Sequence, residues 1–137
     1  MTLSELRDLP HDPEEEGLIA DPRLDHAILL FNRGDWYDCH DCLEELWHET
    51  SGATRSILQG ILQIAVAELH HERGNLRGST ILMGEGLGRI QGNRDGGLNL
   101  DLATLCRQVT ERLLALQQHR PLKGLDLPFL APKKIQP

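Results

Sequence analysis

The 137-residue chain is 39% hydrophobic but only 4% aromatic. That balance suits one domain with a Leu-, Ile-, Val- and Ala-rich core and favours helices over a β-sandwich. Its 21 acidic residues outnumber 14 basic ones for a net charge of −7, which argues against nucleic acid or an anionic membrane as partner, because phosphates are neutralised by a basic face.

Residues 1–20 hold Pro10, Pro13 and the acidic run Glu14-Glu15-Glu16. They read as a flexible N-terminal arm, with the run as solvated charge. The start of the chain lacks the basic residues and apolar run of a secretory signal, and three cysteines, an odd count, argue against a disulfide framework. The expected compartment is cytoplasmic.

The helical domain is expected over residues 21–120. Asp21-Pro22 opens its first helix, with Asp as cap and Pro pre-set for the first turn, and Gly34 supplies the left-handed stop. Asp35 is expected to cap a second helix that ends near Thr50. After a short turn at 51–54, a third helix runs antiparallel to about Arg73. Its apolar stretch from Ile57 to Leu69 is broken by Gln59, Gln63 and Glu68 and is too short to span a bilayer. Gly74 stops this helix and Asn75 caps the fourth.

The fourth helix carries Gly78, Gly84, Gly86 and Gly88, each costing about 1 kcal/mol relative to Ala in a helix interior; such small residues let another backbone approach. Arg73, Arg77 and Arg89 leave room for a local cationic patch. A Gly-rich loop over 91–99 leads to a fifth, amphipathic helix capped by Asp101, with Leu102, Leu105, Val109, Leu113 and Leu116 as its apolar stripe. Residues 121–137 read as an extended C-terminal tail, a strap docked by Leu125, Leu127, Phe129 and Leu130. The expected fold is all-α, a compact bundle of about five helices with extended arms.

On a wheel of about 100° per residue, the second helix places Trp36, His40, Leu43, Glu44 and Trp47 on one face. Asp38, Asp41, Glu45 and Glu49 fall on the other. A carboxylate on an apolar face is costly unless paired, and His40 and Glu44, four apart, are neighbours. The third helix is apolar over most of its circumference except for a stripe of Gln59, Gln63 and His70, extended by Arg55 and Arg73. Facing stripes would make one polar site between the second and third helices.

His40-Asp41-x-x-Glu44-Glu45-x-Trp47 resembles the HExxEExW signature of domain-of-unknown-function family 309. The run from Gln59 to Ala65, followed by His70 and Gly74-Asn75, is similar to its second block. Phe31-Asn32-x-Gly34-x-x-Tyr37 is similar to its lead-in. The resemblance covers roughly residues 24–90. It implies a compact helical bundle and, by the label some members carry, a metal-dependent hydrolase. Asp41 stands where the family usually has Glu, and Cys39 and Cys42 lie outside the pattern.

These residues support two readings. In the first, one divalent metal ion is held by His40, Glu44 and His70, since two imidazoles and a carboxylate with an open position recur in hydrolytic sites. His40, Glu44, His70 and Gln63 are then the catalytic candidates. Trp47, Gln59, Trp36 and Asn75 are the substrate-binding ones, for a small-molecule ligand of unknown identity. Helix geometry works against a single centre: with the turn near Gly52, His40 faces Ile64, and His70 lies about 9 Å further along the axis.

In the second reading the chain is a non-enzymatic scaffold or interaction protein. His40, Glu44, Gln59 and Gln63 then hydrogen-bond across the hairpin, and His70 ties to the first helix near Asn32 or Asp35. The helical faces would support a homo-oligomer. Cys39-x-x-Cys42, with only Cys106 elsewhere, is a thin zinc or redox signal. His11, His26, His48, His71 and His119 sit in no motif.

Overall fold

The structure, a computed structural model, describes residues 12–93 and 96–134. Its helices in chain order are α1 (Pro13–Ile19), α2 (Pro22–Asn32), α3 (Trp36–Glu49), α4 (Gly52–Glu72), α5 (Leu76–Gln91) and α6 (Leu102–Gln117). The all-α class stands, and the five expected helices are α2 to α6. The additional helix, α1, lies inside the expected flexible arm, whose first 11 residues fall outside the described ones. Asp12 caps it by accepting from the Glu14 amide, and Pro13 opens its first turn. Asp35, the expected cap of α3, makes no side-chain cap hydrogen bond.

The acidic run on α1 is used rather than merely solvated. The Ser51 side chain makes no cap bond to α4. Instead the Glu14 carboxylate accepts from the Ser51 amide at 2.7 Å and from its hydroxyl at 3.1 Å. A helix start has unsatisfied N–H groups and a positive dipole end, so a carboxylate fits there. Glu15 accepts from the Leu98 amide at 2.9 Å.

α4 is the central helix, packed between α3 and α5, with α6 lying on α5. It buries Ile57, Leu58, Ile61, Ile64, Ala65 and Ala67. Where α4 meets α5 the backbones touch through two glycines. A Cβ on Gly86 would stand 2.8 Å from the Gly60 carbonyl oxygen, and one on Gly60 would stand 2.9 Å from Ile90 Cγ2. Close approach is what these glycines give in exchange for helix propensity.

Three helices end in the same hydrogen-bonded turn. The amide three residues past the last helical residue reaches back in each: Asp35 to Leu30 at 2.9 Å, Asn75 to His70 at 2.8 Å, and Arg120 to Ala115 at 2.8 Å. The residue before it is left-handed in every case. It is Gly34 (φ 76°) after α2, Gly74 (φ 79°) after α4, and His119 (φ 54°) after α6.

The tail docks as a strap. The Asn32 side-chain amide pairs with the backbone of Leu130 in both directions, at 3.0 and 2.7 Å. Of the expected anchors, Leu130 is buried and Leu125 half-buried, whereas Leu127 and Phe129 face outward. An extended chain turns alternate residues to opposite sides, so Pro128 and Leu130 point inward and their neighbours do not. Among the described residues, no helix is long and apolar enough to cross a membrane.

Candidate functional site

The seam of α3 is Trp36, Cys39, Leu43 and Leu46, a three-four-three spacing. The expected inner face is therefore rotated. His40, Glu44 and Trp47 ride the edge of the seam rather than its centre, and the His40 and Glu44 side chains remain 29% and 47% exposed. Giving Trp47 the weight of a core residue is what misplaced the face.

On that edge, His40 sits between two carboxylates. Its Nε2 lies 3.1 Å from Glu44 Oε2 and its Nδ1 3.3 Å from Asp41 Oδ1. One turn on, His48 Nε2 stands 3.7 Å from Glu44 Oε1. His40, Glu44 and His48 thus form a ladder along one helix, and Asp41, expected to face away, closes it on the other side. The ligand atoms of His40, Asp41 and Glu44 all lie within 4.8 Å of one another. His70, the expected third ligand, is not in this group.

The floor beside the ladder is cationic and aromatic. The Arg55 guanidinium lies 3.9 Å from the centroid of the Trp47 ring, a cation–π stack. Trp47 Nε1 and Arg55 Nε are both shielded from solvent and have no acceptor among the described residues.

The remaining expected site residues do not converge here. Gln63 is buried and turns to α5, donating to Glu85 Oε2 at 3.0 Å and accepting from Arg89 Nε at 3.1 Å. Gln59 is half-buried. His70 pairs with Asn75 at the α4–α5 turn, Nδ1 to Nδ2 3.3 Å, rather than with Asn32 or Asp35. Asn75 is the α5 cap, accepting from the Gly78 amide at 2.9 Å. Trp36 is core, edge-on to Phe31 with centroids 5.1 Å apart. The polar stripe of α4 is real, but it serves α5 and the turn as well as α3.

The cysteines are spoken for. Cys39 Sγ donates to the Ala27 carbonyl at 3.5 Å and Cys42 Sγ to that of Arg23 at 3.2 Å. Burial pushes the Cys39 thiol up to about 12 and raises that of Cys42, the reverse of what a reactive or ligating thiolate needs.

One charged pair escaped the sequence reading. Glu68 and Arg112 are 2% and 3% exposed. Arg112 Nε donates to Glu68 Oε1 at 2.7 Å and Nη2 to Oε2 at 2.6 Å, a two-pronged bond between α4 and α6. Its Nη1 donates to the Asp126 carbonyl at 3.3 Å, so the pair also anchors the strap. Glu68 registered in the sequence only as a break in an apolar run. An acid inside such a run, with an Arg inside the last amphipathic helix, was the available signal.

Residues 24–82 match the family model described as Domain of unknown function (DUF309). Over that segment the chain is similar to this family. The matched segment runs from α2 into α5 and contains the whole His40 ladder, Arg55, Gln63 and His70, but not Arg112 or the strap. The chain is also 29% identical over 105 residues to the uncharacterized protein YpuF of Bacillus subtilis (strain 168). That alignment takes in 72% of this chain and 60% of YpuF, so the chain spans well under two thirds of this relative's length.

The His40 ladder passes a simple fit test for a divalent ion. Tetrahedral donors about 2.0–2.1 Å from zinc stand about 3.3 Å from one another, and His40 Nε2 and Glu44 Oε2 are 3.1 Å apart. An imidazole with carboxylates suits borderline divalent metals. Asp41, on the far nitrogen, has the position of the carboxylate that orients a ligating histidine.

Proposed function

We propose that this chain binds one divalent metal ion on the flank of α3 and uses it for hydrolysis. The supporting observation is the convergence of His40, Asp41 and Glu44 ligand atoms within 4.8 Å. His40 Nε2 and Glu44 would hold the ion, with His48 one turn away as a further donor. Bound there, the ion would supply Lewis acidity and lower the pKa of a water. Asp41 Oδ1, 3.3 Å from His40 Nδ1, would favour the tautomer that leaves Nε2 to ligate. The Arg55–Trp47 stack beside the ladder offers positive charge to an anionic part of the substrate.

The test is metal content and titration on protein purified without a His tag. Zn or Mn should bind at one per chain in the wild type and in His70→Ala, and be lost in His40→Ala and Glu44→Ala. Turnover of p-nitrophenyl ester or phosphate substrates should need both the ion and His40. Equal metal uptake by wild type and both ladder variants would sink the reading.

A second reading is that the chain is a non-enzymatic scaffold. Its support is that Gln63, His70, Asn75 and Trp36 all have structural partners. It expects no stoichiometric metal and no turnover.

A further inference from the structure

Where α5 begins and α6 ends, a cavity of about 390 Å³ is walled by Leu76, Ile81 and Leu116 and edged by Arg77 and His119. A second cavity of about 240 Å³ shares Leu76, Leu116 and His119 and adds Arg120. The shared walls make them one groove, of the size that takes a small organic ligand. Leu76 and Ile81 are half exposed in it.

Its charge runs against that of the molecule. The chain carries a net charge of −7, yet both charged residues lining the groove, Arg77 and Arg120, are cationic, and no acid is among the described lining residues. The Arg77 guanidinium makes no hydrogen bond or ion pair among the described residues. Arg120 is held by Gln118, Nε to Oε1 2.8 Å.

His119 adds an independent observation. It fills the left-handed position that glycine fills in the two equivalent turns after α2 and α4. A side chain is strained there and glycine is not. The strain places an imidazole on the rim of this groove, and strained non-glycine residues cluster where a protein handles ligands.

We infer that the groove binds a small amphipathic anion: an apolar body on Leu76, Ile81 and Leu116, with a carboxylate or phosphate head held by Arg77 and His119. Guanidinium and imidazole donors suit either head. The site shares no residue with the His40 ladder and does not depend on the metal reading.

The full chain is titrated with the fluorescent anion 8-anilinonaphthalene-1-sulfonate, followed by displacement with decanoate, decyl phosphate and neutral decanol. At least one of the anions should displace the dye at about tenfold lower concentration than decanol, and the better of the two identifies the head group. Arg77→Gln should weaken anion binding about fivefold or more without changing Tm. His119→Gly should weaken binding while raising Tm, because the substitution relieves strain and removes a contact. Equal displacement by decanol, wild-type affinity in Arg77→Gln, or a His119→Gly chain that is more stable yet binds undiminished would each overturn the inference. So would sedimentation showing a dimer that Arg77→Gln dissolves, which would make a second copy the occupant.

Discussion

Glu68–Arg112 and His40–Glu44 are both acid–base pairs anchored on neighbouring helices of the same bundle, at 2.6 and 3.1 Å. Burial separates them. The first is sealed, with both carboxylate oxygens occupied and the spare guanidinium donor satisfied by the Asp126 carbonyl. The second is on an open edge, where Glu44 is shared between two imidazoles and still faces water. A sealed pair whose bonds are complete has nothing left to offer a ligand, whereas an open one keeps lone pairs free for coordination.

That contrast predicts the largest stability effect in the molecule at the sealed pair. Glu68→Ala or Arg112→Ala should cost about 3–5 kcal/mol in urea unfolding, because each strands a buried charge. Replacing both by Leu should recover most of the loss, since a buried pair is often matched by apolar residues of similar size. A single substitution costing under about 1 kcal/mol, the scale of an exposed pair, would erase the distinction between the two sites.

The glycines of α5 sharpen the same point with packing in place of charge. Gly86→Ala should destabilise by about 1–3 kcal/mol, because its Cβ meets the Gly60 carbonyl. Gly88→Ala should instead stabilise by up to about 1 kcal/mol, because nothing lies within 4 Å of its Cβ. Two glycines two positions apart should move the unfolding midpoint in opposite directions.

An exposed cluster gives a smaller effect with a definite pH sign. Arg23 bonds Asp21, Glu45 and Glu49. Hydrogen bonds from Arg23 hold the Asp21 and Glu49 carboxyls below their ordinary values. A carboxyl lowered on folding adds stability above its unfolded pKa and loses it as pH falls through the folded one. The stability gap between wild type and Arg23→Gln should therefore be fully open at neutral pH and close once pH drops below the ordinary carboxylate range of about 4. Paired urea titrations across that window measure it; a gap that widens in acid would contradict the assignment.

The helices were legible because caps and periodicity are local. Asp21-Pro22, Gly34, Gly74-Asn75 and Asp101 each act on residues within a few positions, and all do so in the structure. What stayed hidden was bonded across long separations, as with Glu14 on Ser51 or Arg112 on Glu68, where nothing nearby in the chain marks the partner. The site was half legible. The i, i+4 spacing of His40 and Glu44 predicted their contact, and continuing it one more turn would have added His48. Whether that edge faced Gln63 depended on a rotation of α3 by a fraction of a turn, set by tertiary packing of Leu43 and Leu46.

The open pair itself carries the smallest stability effect and the most informative one. His40→Ala and Glu44→Ala remove a partly exposed imidazole–carboxylate contact, and even a fully charged pair so exposed is worth only about 0–1 kcal/mol because water and salt screen it. A structural network fixing the α3–α4 hairpin would cost more, about 1–3 kcal/mol per truncation, because a buried partner would be left without its bond. The two readings of these residues therefore separate in a metal-free urea titration, before any activity is sought. Unfolding of the two variants within about 1 kcal/mol of wild type, and wild type alone gaining stability when zinc is added, is the outcome expected of residues kept for a ligand that binds only the folded chain. A large metal-free loss in either variant would instead place His40 and Glu44 with Glu68 and Arg112, as part of what holds the helices together.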